Sequence, residues 1–243
     1  RTGLGLPGRQ QQLLEELHAT GKPIVLVLIN GQPLTINWAD RNIPSILEAW
    51  FPSQSGGKAI AQTLFGDYNP GGRLPVTFPK SIGQIELNFP FKPGSQDGQY
   101  FAGPNGSGNT RVNGPLYPFG HGLSYTTFAY SNLVIKQKTP YSKSPITITV
   151  DVTNTGKRSG DDVVQLYIRD KVSSVITYDS VLRGFERTSL QPGETKTATF
   201  TLLPEDLQIL DRHMEWSVEP GEFEVLIGAS SDNIKLKDTF VIK

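Results

Sequence analysis

The sequence contains no cysteine, and this absence excludes several kinds of chemistry. Without thiols the chain forms no disulfide, binds no metal through thiolates and has no cysteine nucleophile. Only three histidines occur, His18, His121 and His213, and they lie far apart without the spacing of metal ligands. We therefore predict no metal site, and we expect no cofactor.

A net charge is also lacking, because 23 basic residues balance 23 acidic ones. A balanced surface has no general attraction for nucleic acid or for an anionic membrane. The chain has no apolar run of transmembrane length, and it does not open with a basic and apolar signal segment. We expect neither a nucleic-acid partner nor a membrane span. The start at Arg1, without a methionine, favours a fragment, a processed product or an expressed sub-region.

The first 66 residues carry helical and strand patterns of the α/β type. Leucines at helical spacing predict a helix over 9–20, with Gly21 as its end. The apolar run 24–29 predicts a strand buried on both faces of a parallel sheet. After a polar segment at 37–42, the run 46–50 predicts a second buried strand. These two strands are too few for a complete wound domain.

A second helix is predicted over 57–65, and Ser53 and Ser55 are its candidate capping residues. Beyond residue 79 the periodicity is lost, and Gly, Pro, Ser, Asn and Asp dominate as far as residue 113. Loops of this length are uncommon inside compact domains and tend to be functional or disordered. We expect Tyr100 and Phe101 to anchor this long loop.

The stretch 114–128, called the connecting segment below, is dense in glycine, proline and aromatic residues at once. Neither a regular helix nor a central strand tolerates this mixture. A flexible linker would be rich in Gly and Ser and would lack apolar anchors. We predict a rigid connection whose apolar side chains are buried between the parts on either side; these are Leu116, Tyr117, Phe119, Leu123, Tyr125 and Phe128.

After the connecting segment the pattern becomes that of an all-β domain. Alternation over 147–153 predicts a strand, 154–156 a turn, and 163–168 the next strand. Five more strands are predicted at 181–186, 196–202, 214–218, 221–227 and 237–242. About seven short strands without the cysteine pair of antibody domains favour a fibronectin type III-like sandwich.

Several motifs occur in one order along nearly the whole chain. Together they resemble the C-terminal half of family 3 glycoside hydrolases, and the bacterial periplasmic β-glucosidase branch is the most similar. The motifs are LFGDYNPGGRLP at 64–75, LYPFGHGLSY at 116–125, NTG at 154–156 with VQLY at 164–167, LRGFE at 182–186 and LQPGE at 190–194.

The resemblance implies a larger enzyme with an N-terminal TIM-type barrel, an α/β sandwich domain and a fibronectin type III-like domain. The fold class is then α/β plus all-β. Residues 1–79 would be the end of the α/β sandwich domain, 80–128 the long loop and connecting segment, and 129–243 the fibronectin type III-like domain. The resemblance also implies a periplasmic or secreted bacterial location.

In the family, a barrel aspartate is the nucleophile and a glutamate of the α/β domain is the general acid/base. Both are expected upstream of Arg1, so we predict no catalytic residue in this chain. The implied reaction is a retaining hydrolysis of terminal β-linked sugars, which needs two carboxyl groups. The implied partners are a β-linked glucoside or oligosaccharide and the missing barrel. We therefore expect the chain alone to be inactive.

The only residues that we predict to contact a substrate are Tyr100, Phe101 and Arg111. Aromatic faces stack on sugar rings, and an arginine supplies several donors for hydroxyls. The alternative is that the aromatics merely anchor the loop. The chain also departs from the family pattern at 52–57, where a glycine and an acidic residue are missing, and at Ala102, where close relatives carry an aspartate.

Other side chains that could suggest catalysis have simpler interpretations. Asp67 is expected to cap a turn, as Asp residues in turns commonly do. Asp161 and Asp162 are expected in solvent ahead of a strand, and neighbouring strand residues point to opposite faces. Glu48 is interpreted as a strand-end or ion-paired residue, with a supporting role at the substrate site as the alternative.

The remaining candidates are one aspartate, one histidine and the three tryptophans. Asp40 has no assigned role, and His121 is expected to serve packing. We predict that Trp38, Trp50 and Trp216 belong to the core. As a second functional hypothesis, the chain could be a free-standing carbohydrate-binding or adhesion module. A complete, closed domain would favour that module, whereas an incomplete sheet with an exposed apolar face would favour part of an enzyme.

Overall fold

The computed structural model describes residues 3–84, 87–93 and 114–243. Their contacts separate two compact units. Of the described residues, the first unit takes 3–68, 76–84, 87 and 114–117, and the second unit takes 69–75, 88–93 and 118–243. No helix in these described ranges has the length and apolar character needed to cross a bilayer.

The first unit contains three helices and a two-stranded parallel sheet in the described residues. The elements are α1 (Gln10–Ala19), β1 (Val25–Leu28), α2 (Asn37–Asn42), β2 (Ser45–Glu48) and α3 (Gly56–Phe65). Strand β1 pairs with β2 in a register that runs from Val25 opposite Ser45 to Leu28 opposite Glu48. The predicted helices, strands and parallel pairing are confirmed. The sequence did not predict α2, whose six residues are mostly polar.

Two details of the first unit differ from expectation. The strand predicted as buried on both faces is not, because Val25 is 48% exposed and Ile29 is 60% exposed. Ser55 occupies the N-cap position of α3 without a side-chain hydrogen bond, so capping through its hydroxyl was wrong. The end of α3 is a left-handed Gly66 with φ of 82°, a conformation that glycine adopts without strain.

The core of the first unit is small. Its main buried cluster comes from α1, β1, α2 and the residues on either side of α2, and its members are Leu14, Leu28, Leu34, Ile36, Ala39 and Ile43. Trp38 packs against this cluster and meets His18 edge-to-face, with 5.4 Å between ring centroids. Several apolar side chains of the unit remain exposed, including Leu13 at 60% and Phe65 at 84%.

The second unit is a β-sandwich of two antiparallel sheets, as predicted. One sheet has the order β3 (Phe128–Ile135), β4 (Ile146–Asn154), β7 (Thr195–Leu202), and the other has the order β11 (Ile234–Ile242), β10 (Gly221–Gly228), β5 (Gly160–Asp170), β6 (Val181–Leu190). A 3-10 helix at Pro204–Leu207 leads into a short hairpin of β8 (Ile209–Leu210) and β9 (Trp216–Ser217).

Alternating side chains of the strands form the sandwich core. In β4 the inward residues Ile146, Ile148, Val150 and Val152 are each 0% exposed. Full burial of such a side chain contributes about 1.5–3 kcal/mol, so the inward face of β4 contributes substantially to the core. The sequence missed β3, and it predicted a full strand at 214–218 where the structure has the short hairpin. Trp216 is 66% exposed, so its prediction as a core residue was wrong.

The connecting segment begins in the first unit and continues in the second from residue 118. Phe119 stacks on Phe89 with 4.7 Å between ring centroids and 17° between ring planes. Gly120 has a φ of 81°, and its carbonyl accepts a 3.2 Å hydrogen bond from the side chain of Gln165. Leu123 and Tyr125 are 76% and 46% exposed, so their predicted burial was wrong.

Candidate functional site

The carboxyl ends of β1 and β2 form the candidate site of the first unit. In α/β sheets, ligands bind in the crevice beyond the carboxyl ends of parallel strands. Leu28 and Glu48 are opposite each other in the register, and the Ala49 N–H donates to the Leu28 carbonyl at 2.9 Å. The loops that follow therefore start side by side, one with Asn30 and the other with Trp50.

Glu48 holds the two loops together. The side-chain amide of Asn30 donates to both of its carboxylate oxygens at 3.2 and 3.4 Å, and the Trp50 N–H donates to one of them at 2.9 Å. Burial raises the pKa of Glu48 above its ordinary value, although these two donors act in the opposite direction. Glu48 is the last residue of β2, which confirms the strand-end interpretation. In the described residues no basic side chain pairs with it.

Two aromatic residues follow β2. Trp50 has a φ of 50°, in the left-handed region that a bulky residue rarely occupies. Its ring meets Phe78 edge-to-face at 6.1 Å, so Trp50 is half-buried. Phe51 is 76% exposed and its ring lies across Gly31, where an added Cβ would be 2.5 Å from Cε2 of the ring. Glycine at position 31 thus permits the aromatic ring to lie over the first loop.

The first loop also contains a buried donor without an acceptor. The Gln32 N–H donates to the Asn30 side chain at 3.2 Å, which fixes the turn. The Gln32 side-chain nitrogen is buried, and within the described part of the chain it has no hydrogen-bond partner. A buried amide without a partner costs about 1–3 kcal/mol, so a ligand or further protein atoms are its expected partner.

These groups are suited to binding and positioning. Amide and carboxylate groups beside an exposed aromatic face are the groups that hydroxylated ligands use for hydrogen bonds and stacking. A retaining glycosidase needs two carboxyl groups about 5–5.5 Å apart, one of them free to attack. Both oxygens of Glu48 accept hydrogen bonds from the two loops, an arrangement that is suited to holding those loops in place.

The predicted substrate-contact residues Tyr100, Phe101 and Arg111 lie outside the described residues, and their role stays a prediction. Asp40 lies on α2 and accepts a 2.7 Å hydrogen bond from the hydroxyl of Tyr117. Burial, together with that hydrogen bond, raises the pKa of Tyr117. Asp67 is exposed just beyond α3, in the turn where the sequence places it.

The expectation that Asp161 and Asp162 lie in solvent was wrong for Asp162, which is 1% exposed. Strand β5 begins at Gly160, two residues before Asp162, and the side chain of Asp162 faces inward. It forms a 2.8 Å ion pair with Arg73 and accepts a 2.5 Å hydrogen bond from Tyr130.

Asp161 lies on the opposite face of β5, as the strand geometry predicts. Its partners are Ser189, whose hydroxyl donates at 2.6 Å, and Arg187, whose Nε donates at 2.7 Å. The hydrogen bond from Ser189, with a smaller effect of Arg187, lowers the pKa of Asp161. Both aspartates therefore have structural partners.

His121 belongs to the backbone network of the connecting segment. Its N–H donates to the Pro118 carbonyl at 3.1 Å, and its carbonyl accepts from the Leu74 N–H at 2.8 Å. Among the described residues, no group of three or more His, Asp or Glu side chains is arranged to hold a metal ion.

The sequence missed the roles of Asn30, Gln32 and Trp50. It identified the Asn30–Gly31 pair only as a turn and assigned Trp50 to the core. For Asn30 and Gln32 the signal was their position just after the predicted strand 24–29. Trp50 was placed inside the predicted strand 46–50, whereas the observed β2 ends at Glu48, two residues earlier.

Two family models match the chain. The model of the glycosyl hydrolase family 3 C-terminal domain matches residues 1–125, and that of the fibronectin type III-like domain matches residues 162–231. Among curated proteins, a β-xylosidase of Formosa agariphila is 46% identical over 98% of this chain and 32% of its own length. A periplasmic β-glucosidase of Salmonella typhimurium is 43% identical over 97% of this chain and 31% of its own length.

Solved structures agree with these matches. A β-glucosidase from Erythrobacter marinus superimposes with a TM-score of 0.92 at 40% identity, covering 100% of this chain and 31% of its own. A β-glucosidase from Listeria innocua in complex with glucose superimposes with a TM-score of 0.89 at 31% identity, covering 98% of this chain and 33% of its own. The chain thus spans about a third of the length of the relatives that it matches.

Proposed function

The chain belongs to glycosyl hydrolase family 3, and from this premise we propose that it is the C-terminal portion of a retaining β-glycosidase. The observation that carries the proposal is the extent of the matches. They cover 97–98% of this chain at 43–46% identity, but only 31–32% of two hydrolases. The parent protein would remove terminal β-linked sugars, with this chain completing its α/β domain and adding the sandwich.

The exposed apolar residues of the first unit support this proposal. Val25 and Ile29 are about half exposed on and beside β1, and Phe65 at the end of α3 is 84% exposed. Apolar strand and helix faces are normally covered in soluble proteins. We propose that upstream residues of the parent enzyme cover them. A free-standing binding module would be expected to bury these residues itself.

The catalytic carboxylates are proposed to lie in that upstream part. A barrel aspartate would attack the anomeric carbon, and a glutamate would first protonate the leaving oxygen and then activate water. This chain would contribute the edge at β1 and β2, with Glu48 positioning the loops of Asn30 and Trp50. Tyr100, Phe101 and Arg111 would contact the substrate.

The sugar is proposed as β-linked glucose or xylose. The relatives divide between proteins named β-glucosidase and proteins named β-xylosidase, so the residues shared with both groups do not separate the two sugars. A periplasmic or secreted location is proposed because the Salmonella relative is named periplasmic.

Tyr100→Ala in the longer protein tests the substrate role. If Tyr100 stacks on the sugar or its aglycone, KM for an aryl β-glucoside rises about three- to tenfold, which is the range of one aromatic contact. The matched control is Tyr141→Ala, which removes a tyrosine that is 72% exposed in the second unit. Unchanged kinetics combined with a lower melting temperature would instead show that Tyr100 anchors the loop.

A further inference from the structure

A cleft of about 490 Å³ opens at one end of the sandwich, wholly within the second unit. Its floor is made by the core residues Ile168, Leu207 and Phe223, and its rim includes the β8–β9 hairpin and the loop before β6. Clefts of about 300–1,000 Å³ with apolar walls and a few polar groups are typical of small-molecule sites. Nothing in the proposed hydrolysis uses this cleft.

Two charged side chains line the cleft without pairing with each other. Asp170 is half-buried and, from the residues that the structure describes, accepts a hydrogen bond from the Val172 N–H at 3.2 Å. Arg183 is also half-buried and, among the described residues, its guanidinium forms no hydrogen bond, although Asp206 attracts it electrostatically. Burial raises the pKa of Asp170 and lowers that of Arg183. Two partly desolvated ions with spare donors and acceptors are suited to binding the polar groups of a ligand.

Two aromatic side chains stand beside these polar groups. Trp216 on β9 is 66% exposed and Tyr178 is 44% exposed, and both line the cleft. The Lys92 ammonium lies 5.5 Å from the centroid of the Tyr178 ring, which favours a fixed ring orientation. An exposed tryptophan is a common anchor at binding surfaces because it offers a large rigid face.

The charges of the cleft favour a neutral ligand. Lys92 and Arg183 are opposed by Asp170, Glu205 and Asp206, so the lining has neither a strong positive nor a strong negative excess. A simple anion would meet three carboxylates, and an aliphatic ligand would leave Asp170 and Arg183 without partners. A sugar has an apolar face for the aromatics and hydroxyls for the charged groups.

We propose that this cleft is a second carbohydrate-binding site, in which Trp216 stacks on a pyranose ring while Asp170 and Arg183 bond its hydroxyls. The site holds a neutral oligosaccharide apart from the proposed hydrolysis. The identity of the sugar as a β-linked glucan or xylan rests on the proposed function. The existence of the site does not, because it is built from groups of the sandwich alone.

Calorimetric titration of the 243-residue chain with cellotetraose and xylotetraose tests the site, and pull-down on insoluble cellulose and xylan distinguishes free chains from polymers. We expect one of the four probes to bind. Trp216→Ala should weaken binding about three- to tenfold, as expected for one aromatic contact. Arg183→Met should weaken it as well. The control Tyr141→Ala removes an aromatic side chain that is 72% exposed and does not line the cleft, and it should leave binding unchanged.

The proposal would be overturned if none of the four probes binds. It would also be overturned if Trp216→Ala binds a probe with the same affinity as the wild type. Should Arg183→Met fail to fold, Trp216→Ala decides the matter, because removal of an exposed side chain leaves the core intact. Failure here is distinguishable from failure of the proposed function. Binding is measured on this chain, whereas hydrolysis is measured on the longer protein.

Discussion

In the second unit, two sheets enclose a core in which Ile146, Ile148 and Val164 are completely buried, and nearly every inward strand residue joins the same cluster. In the first unit, the described residues form a smaller cluster of six buried apolar side chains, and Leu13, Ile29 and Phe65 are exposed. The sandwich therefore has the core of a self-sufficient domain. The first unit has apolar side chains that its own helices and strands do not cover. This is expected if further residues of the parent protein complete the unit.

Arg73→Met should cause the largest loss of stability, because it removes one partner of an ion pair in the interior of the second unit. The side chains of Arg73 and Asp162 are 9% and 1% exposed, so the change leaves a buried carboxylate without its cation. Loss of one partner of a buried ion pair costs about 3–5 kcal/mol. Urea unfolding of the sandwich measures the loss.

The neighbouring pair provides the control. Arg187→Met removes the partner of Asp161 on the outer face, where the arginine is 51% exposed, and such pairs contribute about 0–1 kcal/mol. Equal effects of the two substitutions would contradict the assignment of Asp162 to the interior. The double variant Arg73→Met with Asp162→Leu should recover part of the stability, because the pair is then replaced by apolar side chains while the Tyr130 hydroxyl loses its acceptor.

Phe119→Ala should have an intermediate effect. Phe119 stacks on Phe89 in the second unit, and loss of this half-buried ring should cost about 2 kcal/mol, less than loss of a fully buried phenylalanine. Tyr125→Ala, in the same segment but 46% exposed, is the control and should change stability by about 0.5 kcal/mol or less. If Phe119→Ala leaves the melting temperature unchanged, the connecting segment is not the rigid element that its composition predicts.

Glu48→Gln should have the smallest effect, visible as a pH dependence of the first unit. Because the folded pKa of Glu48 is raised, the folded state holds its proton more tightly than the unfolded state does. Stability that depends on Glu48 is therefore present at acid pH and decreases as the pH rises through the folded pKa. Glutamine does not titrate, so the wild type should lose stability relative to the variant as the pH rises above the ordinary carboxyl pKa of about 4.3. If the difference in melting temperature between the wild type and Glu48→Gln does not change with pH, the raised pKa of Glu48 is contradicted.

Much of the fold could be predicted because the signals were local. The alternation of 147–153 and the leucine spacing of 9–20 each depend on one period, and both elements are present. Strand β3 was missed because its burial is irregular, with Asn132 at a positive φ and a shift of register within the strand. Helix α2 was missed because its stability comes from Ala39 packing into the core rather than from a repeating pattern.

The sites were less predictable because they depend on distant residues. The burial of Asp162 requires Arg73 and Tyr130, which lie 89 and 32 positions away. Asn154 resembled a turn residue, yet it is completely buried and accepts a hydrogen bond from Thr126 at 2.8 Å. The Glu48 network likewise joins two loops that are 18 residues apart. Such pairings follow from the register of sheets, which periodicity alone does not specify.

The most direct test is a hydrolysis assay of the purified 243-residue chain on an aryl β-glucoside and an aryl β-xyloside, beside a longer protein that carries an upstream barrel. We predict no cleavage by the chain alone, because both catalytic carboxylates are proposed to lie upstream, and retaining cleavage by the longer protein. Retaining cleavage by the chain alone, free of the longer enzyme, would contradict this prediction.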